Sequence, residues 1–373
     1  MKFTIKTKVI TRYLKMLSGV IPPMVHRPEL AGISINVYDN RIVFQTRNDL
    51  LDLSIEENDA NNISIAQVGS ILVKGKTLNE IISKINNKEV EFILVDENIL
   101  IIKSASIEYE LNLMNNSNFE FFNYEMNEDF SCKINQSNFK NLIQKAIFAG
   151  NERSSRRILQ GVNFSFLDGI LQVYATDNIR ISVAKTNATS STNFEKIIPI
   201  KVLKEIIKVF DTKEELVINF TDQKFSITSN NIILQSSLIE GKYPNLLRVF
   251  PSDFKYELLI GKDEIINLID KTTILNPNKT SSSLIVKMSV IKETLKFESR
   301  ELEIGSASIS TQAFDFNSNE AFSISFSPKY LLEAIKYIDE ELIKIRLISS
   351  QEQFVVSGNN KENFKCLILP FRT

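Results

Sequence analysis

An alternation of apolar and polar residues followed by helical spacing occurs three times along the chain. Each time, a short alternating strand precedes a segment whose apolar residues fall at positions i, i+3, i+4 and i+7, which is the spacing of one face of a helix. The three sets are Ile10, Tyr13, Leu14 and Leu17; Phe139, Leu142, Ile143 and Ala146; and Ile265, Leu268, Ile269 and Thr272. The pattern predicts three amphipathic helices of the same kind.

A second helical pattern also occurs three times. Its apolar sets are Leu78, Ile81, Ile82 and Ile85; Leu203, Ile206, Ile207 and Phe210; and Leu331, Ala334, Ile335 and Ile338. Equivalent residues of both patterns lie 125 to 129 residues apart in successive copies. Two unrelated helices that recur at nearly the same distance indicate an internal repeat.

Alternating strands fill the segments between the helices. Residues 33–55 read as two strands joined at Asp39-Asn40, and residues 162–183 read as two strands joined at Asp168-Gly169, a strong hairpin signal. Further strand pairs are predicted at 90–102, 216–228 and 343–356. Each repeat is therefore predicted to have two helices and roughly eight strands, with both helices on one side of the sheet. The predicted fold class is α+β, with three tandem domains at 1–126, 127–252 and 253–373.

Composition restricts the function more than the fold. Lys plus Arg number 44 and Asp plus Glu number 45, for a net charge of −1, so contact with a polyanion would depend on where the cations lie. The two cysteines, Cys132 and Cys366, are far apart, which argues against a disulfide framework or a zinc site and favours a reducing cytoplasm. No signal peptide and no long apolar run is present, so we expect no membrane span.

Catalytic and cofactor patterns are weak. His26 is the only histidine, and we interpret it as an exposed loop residue. Gly75-Lys76-Thr77 is similar to the end of a phosphate-binding loop, but the first glycine of that motif would fall at Ser70. We therefore predict no catalytic residue, no cofactor and no metal. A nucleotide-binding enzyme that uses the Lys76 region remains one alternative, and a repeat scaffold that binds only proteins is another.

Lysines recur at matched positions of the predicted helices. Lys76, Lys201 and Lys329 begin the second helix of each repeat, and other lysines are predicted on the face away from the sheet: Lys15, Lys140, Lys145, Lys204, Lys208, Lys271 and Lys336. If the repeats close into a ring, these cations line its hole. A hole of this kind would hold duplex DNA through its phosphates without reading the sequence.

Four stretches resemble the bacterial DNA polymerase III beta subunit family, the sliding clamps. They are residues 156–162 (RRILQGV), 175–181 (ATDNIRI), 240–251 (EGKYPNLLRVFP) and 369–372 (LPFR), and the opening MKFTI is also typical. The resemblance implies three DNA-clamp domains per chain and a head-to-tail homodimer that forms a six-domain ring. For its closure we propose two edge strands, Ile107 to Leu113 and Lys296 to Ile304.

The resemblance also implies a non-catalytic function on double-stranded DNA. The ring would tether the replicative polymerase catalytic subunit, and the clamp loader, repair polymerases, mismatch repair proteins and ligase would dock through short peptides. It would be cytoplasmic and associated with the nucleoid. Arg153 and Arg157 fall in a loop that contacts DNA in the family. The DNA-binding set is thus Lys15, Lys76, Lys140, Arg153, Arg157, Lys201, Lys204, Lys208 and Lys329.

The family's peptide cleft lies between the second and third domains. Its positions map here to Leu159, Thr176, Asn178, Arg180, Ile181, Pro244, Arg248, Val249, Tyr330, Leu367, Leu369, Pro370, Phe371 and Arg372. Departures from the family pattern are Asn178 in place of glycine, Ile179 in place of histidine, Thr280 near the place of an aromatic residue, and Leu369 and Phe371 in place of methionines. Because Asn tolerates a left-handed backbone, we expect the turn at Asn178 to survive.

Overall fold

The structure is a computed structural model of the chain. It describes residues 1–22, 24, 26–115, 119, 124, 131–190, 192–210, 214–276, 283–301, 304–361 and 363–371. Three segments follow one another with the same order of elements: one strand, a helix, five strands, a second helix and three strands. This identical order confirms the threefold repeat.

The first repeat contains β1 Lys2–Lys6, α1 Thr7–Val20, β2 Gly32–Val37, β3 Ile42–Arg47, β4 Leu51–Glu57, β5 Ile63–Gln67, β6 Gly69–Lys74, α2 Gly75–Ser83, β7 Glu89–Asp96, β8 Ile99–Ser104 and β9 Ile107–Asn112. The second contains β10 Ser131–Asn135, α3 Gln136–Ile147, β11 Gly161–Leu167, β12 Ile170–Thr176, β13 Arg180–Asn187, β14 Thr189–Ser190, β15 Phe194–Pro199, α4 Ile200–Val209, β16 Glu215–Phe220, β17 Lys224–Ser229 and β18 Ile232–Ser237.

The third repeat contains β19 Tyr256–Gly261, α5 Lys262–Thr272, β20 Val286–Ile291, β21 Thr294–Glu301, β22 Gly305–Thr311, β23 Phe314–Phe316, β24 Phe322–Phe326, α6 Pro328–Lys336, β25 Leu342–Leu347, β26 Phe354–Gly358 and β27 Phe364–Ile368. Each repeat thus has nine described strands where the sequence predicted roughly eight. The prediction of two strands each at 33–55 and 162–183 is wrong, because these ranges fall in three strands, β2 to β4 and β11 to β13. Strands β5, β14 and β23 each pair with the first strand of their repeat.

The predicted helical faces are buried. Ile10, Leu14 and Leu17 of α1 are fully buried, and the equivalent residues of α3 and α5 are at most 3% exposed. The hairpin at Asp168-Gly169 is also confirmed, because both residues have positive φ (50° and 81°), as a tight hairpin turn requires. Local periodicity and turn chemistry therefore placed these elements correctly.

The two helices of a repeat contact a common sheet. In the first repeat α1 packs on β3 and β4 and α2 packs on β6, all strands of one sheet, as predicted. In the third repeat α5 packs on β21 and β22 and also contacts β19, which belongs to the sheet of β26 and β27 on which α6 packs.

Two sheets extend from one repeat into the next. The nine-stranded order β14-β10-β16-β17-β18-β4-β3-β2-β6 joins the second repeat to the first at the β18–β4 pair. The nine-stranded order β15-β11-β12-β13-β27-β26-β25-β19-β23 joins the second repeat to the third at the β13–β27 pair. By compactness the chain divides into one unit of Met1–Ser137, Ala188–Thr192 and Lys201–Leu238, and another of Asn138–Asn187, Asn193–Ile200 and Ile239–Thr373.

Two smaller sheets contain the edge strands. In the order β5-β1-β7-β8-β9, strand β9 is an edge, and it covers the predicted edge strand Ile107 to Leu113. In the order β22-β21-β20-β24, strand β21 is paired on both sides. The prediction that Lys296 to Ile304 forms an edge is therefore wrong, because one more strand, β22, follows it in a hairpin and takes the edge position.

Candidate functional site

The turn between β12 and β13 is held by its own side chains. Asn178 has φ of 74°, so it adopts the expected left-handed conformation. The Thr176 hydroxyl accepts a hydrogen bond from the Asn178 N–H (3.0 Å) and donates one to the Arg180 carbonyl (2.6 Å). Asp177 Oδ1 accepts the N–H groups of Ile179 and Arg180, both at 3.0 Å. The turn is therefore rigid, and it leaves Ile179 42% exposed.

The buried side chain of Arg180 stabilises this turn. Its side chain is 7% exposed, and its Nε lies 3.1 Å from Asp177 Oδ2. Its other nitrogens donate to the Glu333 carboxylate and to the Phe148 carbonyl. The guanidinium carbon lies 5.0 Å from the centre of the Phe148 ring and 4.6 Å from that of Tyr330. Through its bond to Glu333, Arg180 connects β13 to α6, and its guanidinium packs against the Tyr330 ring.

An apolar cluster lies on the face of the sheet where β13 and β27 pair. Leu159, Ile181 and Leu367 are 2%, 7% and 1% exposed and belong to this cluster, and Ile181 pairs directly with Leu367. The segment after β18 adds further members. The remaining buried members are Tyr174, Val183, Ile197, Ile239, Tyr243, Leu246 and Val355. The structure thus brings together three of the predicted cleft residues as part of one hydrophobic floor.

Four other residues of the predicted cleft are more exposed, and we call them the rim. Val249 is 44% and Leu369 is 40% exposed, and Asn178 and Arg248 are exposed as well. The Leu369 N–H donates to the Ile179 carbonyl (2.9 Å), which fixes the C-terminal segment beside the turn. Pro244, Pro370 and Phe371 are half-buried. Arg372 and Thr280 lie outside the described residues.

The C-terminal segment is docked by its backbone. The Phe371 N–H donates to the Ser325 carbonyl (2.7 Å), two residues after the Leu369 bond. Chain ends usually fray unless they are held in this way. These two bonds hold the segment from Leu369 to Phe371 beside the Ile179 turn and β24.

Titratable groups in the floor are held neutral by burial. Burial raises the pKa of Tyr243, whose hydroxyl donates to the Gly161 carbonyl (3.3 Å). Burial and the neighbouring Glu195 carboxylate raise the pKa of Tyr174, whose hydroxyl lies 3.0 Å from that carboxylate. On the other face of the same sheet, burial raises the pKa of Cys366, which pairs with Ser182, to about 12. These groups remain protonated near neutral pH and act as hydrogen-bond donors or apolar surface.

Four residues near the floor were missed by the sequence reasoning. Ile158, Phe250 and Phe254 pack against the cluster, and Leu247 is 40% exposed on the same segment. Ile158, Leu247 and Phe250 lie inside the stretches that carry the family resemblance, so neighbouring residues of those stretches were the available signal. Phe254 lies beyond them, and no sequence pattern singled it out.

The lysines at the helix starts occupy equivalent positions. Lys76, Lys201 and Lys329 are the second residues of α2, α4 and α6; the first two are exposed and Lys329 is half-buried. Of the other residues in the predicted DNA-binding set, Lys140 is half-buried and the rest are exposed: Lys15, Arg153, Arg157, Lys204 and Lys208. The Lys208 ammonium lies 2.9 Å from the Glu205 carboxylate.

Lys145 does not belong to this exposed set. Its side chain is 5% exposed, and its ammonium donates to Asp339 Oδ2 at 2.7 Å. The prediction that Lys145 faces away from the sheet is therefore wrong. The helical spacing that buries Leu142 and Ala146 also carries Lys145 inward, where the aspartate neutralises it.

Gly75 has a packing role that explains the partial phosphate-loop motif. A Cβ atom on Gly75 would lie 2.3 Å from Ile21 Cδ1 and 2.9 Å from Ile33 Cδ1, so a larger residue at the start of α2 would force these isoleucine side chains to shift. Among the described residues no group of three or more His, Cys, Asp or Glu side chains is placed to bind a metal ion. Cys132 and Cys366 are buried free thiols. His26 is exposed, as expected.

Helices long and apolar enough to cross a bilayer are absent from the described part of the chain.

Comparisons with known proteins cover the whole chain. Models of the DNA polymerase III beta subunit match with the N-terminal domain at residues 1–124, the central domain at 133–245 and the C-terminal domain at 247–372. The beta sliding clamp of Bacillus subtilis (strain 168) is 30% identical over 383 aligned positions and is covered completely, as is this chain. The beta sliding clamp of Mycoplasma capricolum is 26% identical, with 99% of each chain covered.

Solved structures agree with the sequence comparisons. The crystal structure of the DNA polymerase sliding clamp from Bacillus subtilis has a TM-score of 0.93 to this chain, with 27% identity and coverage of 100% of this chain and 99% of that one. One explanation accounts for the three domain models that match in order, the full-length relative at 30% identity and the threefold repeat of the fold. The chain belongs to the family of DNA polymerase III beta subunits, the beta sliding clamps.

Proposed function

We propose that two copies of this chain close head to tail into a ring around duplex DNA and hold the replicative polymerase on its template. The family is that of a non-catalytic subunit of the polymerase holoenzyme, so the chain acts by topology and docking. The observation that carries the proposal is the threefold repeat, because its internal joints specify how a further copy would attach. We also place the protein in the cytoplasm on the nucleoid, as befits a bacterial replication subunit.

The repeat also supports the domain boundaries 1–126, 127–252 and 253–373. The family models match at 1–124, 133–245 and 247–372, and each of the three proposed domains contains the same order of elements. In this division the sheets that cross the boundaries would join consecutive domains.

The joints between repeats use equivalent strands. The last strand of the second repeat, β18, pairs with β4, the third strand after the first helix of repeat one. The last strand of the third repeat, β27, pairs with β13, which holds the same position in repeat two. Among the last strands of the repeats, β9 is left without such a partner, and the equivalent acceptor strand in the third repeat is β22. Both are sheet edges, so β9 of one copy would pair with β22 of another.

The two internal joints also have the same register. Ile232, the first residue of β18, pairs with the fifth residue of β4, and Phe364, the first residue of β27, pairs with the fifth residue of β13. Transferred to the ring joint, this register places Ile107 opposite Ile309 and Glu108 opposite Ser308 of the other copy. Two such joints close a ring of two copies, whereas a joint that did not close would give a filament.

Disulfide trapping tests this joint. Glu108→Cys combined with Ser308→Cys should give a covalent dimer on a non-reducing gel, because directly opposed residues have Cα atoms about 4.5–5.5 Å apart. Glu108→Cys with Ser306→Cys, two residues out of register, is the matched control and should cross-link much less. Native Cys132 and Cys366 are buried, so they do not compete. A ladder of longer polymers, or a monomer in sedimentation, would contradict the two-copy ring.

Lysines and arginines of the DNA-binding set would contact phosphates inside the ring. A clamp held by topology should remain on circular DNA and be lost when the DNA is linearised; equal loss from both would rule out encirclement. Charge reversal of Lys201 and Arg157 should weaken loading and reduce its salt dependence, because each phosphate contact contributes to the salt slope. Lys361→Glu, an exposed lysine outside the set, is the control.

The floor and rim around Leu159, Ile181 and Leu367 would accept short peptides of the polymerase, the clamp loader and repair proteins. Apolar anchors fit the floor, and the exposed Val249 and Leu369 would close over them. Deletion of residues 369–373 should abolish binding of a Leu-Phe peptide and leave the dimer intact. Retained peptide binding would show that this segment is not part of the site.

A further inference from the structure

A second recess lies beside the proposed peptide cleft. It is a cavity of about 160 Å³ between the segment after Pro244 and the sheet strands β13, β25, β26 and β27. Its walls include the rings of Phe250 and Phe254, the side chain of Val355 and three cations, Lys185, Arg346 and Lys365. None of the described residues that line it is acidic. The recess shares Val183 and Val355 with the floor of the proposed cleft, but none of the predicted cleft residues accounts for these cations.

Residue alternation places the recess on the face of the sheet opposite α3. The Ser182 hydroxyl donates to the Lys145 carbonyl of α3, so Ser182 points toward that helix. Val183, the next residue of β13, therefore points to the other face, and it lines the recess. Lys140, which is proposed to contact DNA, lies on α3 and therefore on the other side of this sheet, which favours a protein ligand at the recess.

The cations are presented on aromatic surfaces. The Arg346 guanidinium carbon lies 4.8 Å from the centre of the Phe254 ring, and the Lys365 ammonium lies 4.4 Å from that of Phe250. Arg346 Nε is buried and has no hydrogen-bond partner. Glu257 is paired with Arg346 across the strands, but its carboxylate lies 3.4 Å from the Lys344 ammonium. A buried donor without an acceptor costs free energy until a ligand supplies one.

The recess is continuous with the peptide floor. Ile181, Leu367, Val355 and Arg346 pair in one row across four neighbouring strands, so their side chains share a face. Arg346 is two strands from Leu367, which is about 10 Å at the usual strand spacing. About three residues of an extended peptide cover that distance. A peptide anchored on Leu367 can therefore place a flanking side chain in the recess.

We propose that this recess binds a carboxylate side chain of the same partner peptides, next to their apolar anchor, and so adds a preference for acidic flanks to the cleft. The inference rests on the proposed peptide function. The Arg346 guanidinium and the Lys185 ammonium would bind the carboxylate, and the rings of Phe250 and Phe254 would contact the methylene groups of a glutamate. Those apolar walls favour a carboxylate on an aliphatic stem over a free inorganic anion.

Two labelled peptides test the proposal on the full-length protein. Both carry the same Leu-Phe anchor, and three residues on each side are Glu in one peptide and Gln in the other. Fluorescence anisotropy at low salt should show the Glu peptide binding roughly fivefold tighter, the range of a partly screened charge pair. The preference should disappear in Arg346→Gln and shrink in Lys185→Gln, while the affinity for the Gln peptide stays the same.

Lys361→Gln, which removes an exposed lysine outside the recess, is the matched control and should keep the preference. Equal binding of both peptides, or a preference that survives Arg346→Gln, would overturn the acidic recess and leave the cleft intact. If neither peptide binds, the cleft itself is wrong, and this inference fails with it. Loss of retention on circular DNA in Arg346→Gln would assign the cations to nucleic acid instead and would also overturn the proposal.

Discussion

Replacing Arg180 with methionine should show how strongly the cleft depends on one buried cation. Methionine keeps much of the aliphatic volume but removes the guanidinium. The change leaves Asp177, with a side chain 15% exposed, without its cation, and leaves the Phe148 carbonyl without its donor. It also releases Glu333, which sits on α6, and removes the cation between the rings of Phe148 and Tyr330.

The size of the effect follows from these exposures. Removing one partner of a buried ion pair costs about 3–5 kcal/mol because the remaining charge stays buried. Glu333 is 36% exposed, so water screens its share, and the lower end, ~3 kcal/mol, is the better figure. At about 2–4 °C per kcal/mol for a domain of this size, the melting temperature should fall by about 6–12 °C. Affinity for a Leu-Phe peptide should fall too, since Tyr330 and the turn at Asn178 lose their support.

Calorimetry and anisotropy measure the two effects separately. Arg156→Met, at an exposed arginine, is the matched control and should change the melting temperature by little. A double-mutant cycle with Glu333→Gln isolates that pair, and we expect a coupling of about 1 kcal/mol or more because Arg180 is buried. A melting temperature within 2 °C of the wild type would refute the reasoning, since it would mean that solvent or other groups replace the guanidinium at almost no cost.

Two further outcomes follow from packing and from burial of thiols. Gly75→Ala should destabilise the protein by about 1–3 kcal/mol, because the added Cβ would lie 2.3 Å from Ile21 Cδ1. Gly19→Ala, where the added Cβ would have no atom within 4 Å, should stabilise α1 by about 0.5–1 kcal/mol. Denaturant midpoints measure both changes, and stability changes of the same sign in the two variants would contradict the packing argument. Burial raises the pKa of both Cys132 and Cys366 to about 12. Between about pH 9 and pH 12 the folded protein therefore keeps both thiols protonated, whereas the unfolded chain ionises them. The contribution of the two thiols to the free energy of unfolding is complete below about pH 9 and is lost as the pH rises toward 12. Above pH 9 the melting temperature should fall less steeply with pH in the Cys132→Ala, Cys366→Ala double variant than in the wild type. Parallel curves of melting temperature against pH for the two proteins would contradict this prediction.

Local features were predictable from the sequence. The helical faces from Ile10 to Leu17 and from Ile265 to Thr272 are buried because a spacing of three and four residues fixes them without any distant contact. The turns at Asp168-Gly169 and Asn178 follow from residues that tolerate positive φ. Repetition multiplied this signal, since the same elements could be read three times.

Non-local features were not predictable in the same way. The sequence placed an edge at Lys296 to Ile304, but the identity of an edge depends on whether another strand follows and pairs, and β22 does. Lys145 carries a charge on a face that is otherwise apolar, and only Asp339, 194 residues away, explains its burial. The continuous sheets through β18–β4 and β13–β27 depend on pairing between segments more than 175 residues apart, which no periodicity shows.

The candidate site also has features that were predictable from the sequence and features that were not. Leu159 and Ile181 lie in the family stretches, Leu367 lies two residues before the last of them, and the structure places all three in one cluster. Their separation into a buried floor and an exposed rim, with Arg180 below the surface, needed coordinates. So did Arg346, because nothing in the sequence places it in the row of Ile181 and Leu367.

The joints between repeats connect the fold with both proposed activities. The last strand of a repeat pairs with the third strand after the first helix of the preceding repeat at two places in the chain, β18–β4 and β27–β13. Ile181 pairs with Leu367 across the second of these joints, so this joint forms part of the floor of the proposed peptide cleft. The equivalent strands β9 and β22 are sheet edges, and the proposed joint between them would form only with another copy and could open. A clamp needs both kinds, because a ring must open to load on DNA while its docking site must not change. We therefore expect cross-linking at Glu108 and Ser308 to block loading on closed circular DNA without reducing affinity for a Leu-Phe peptide.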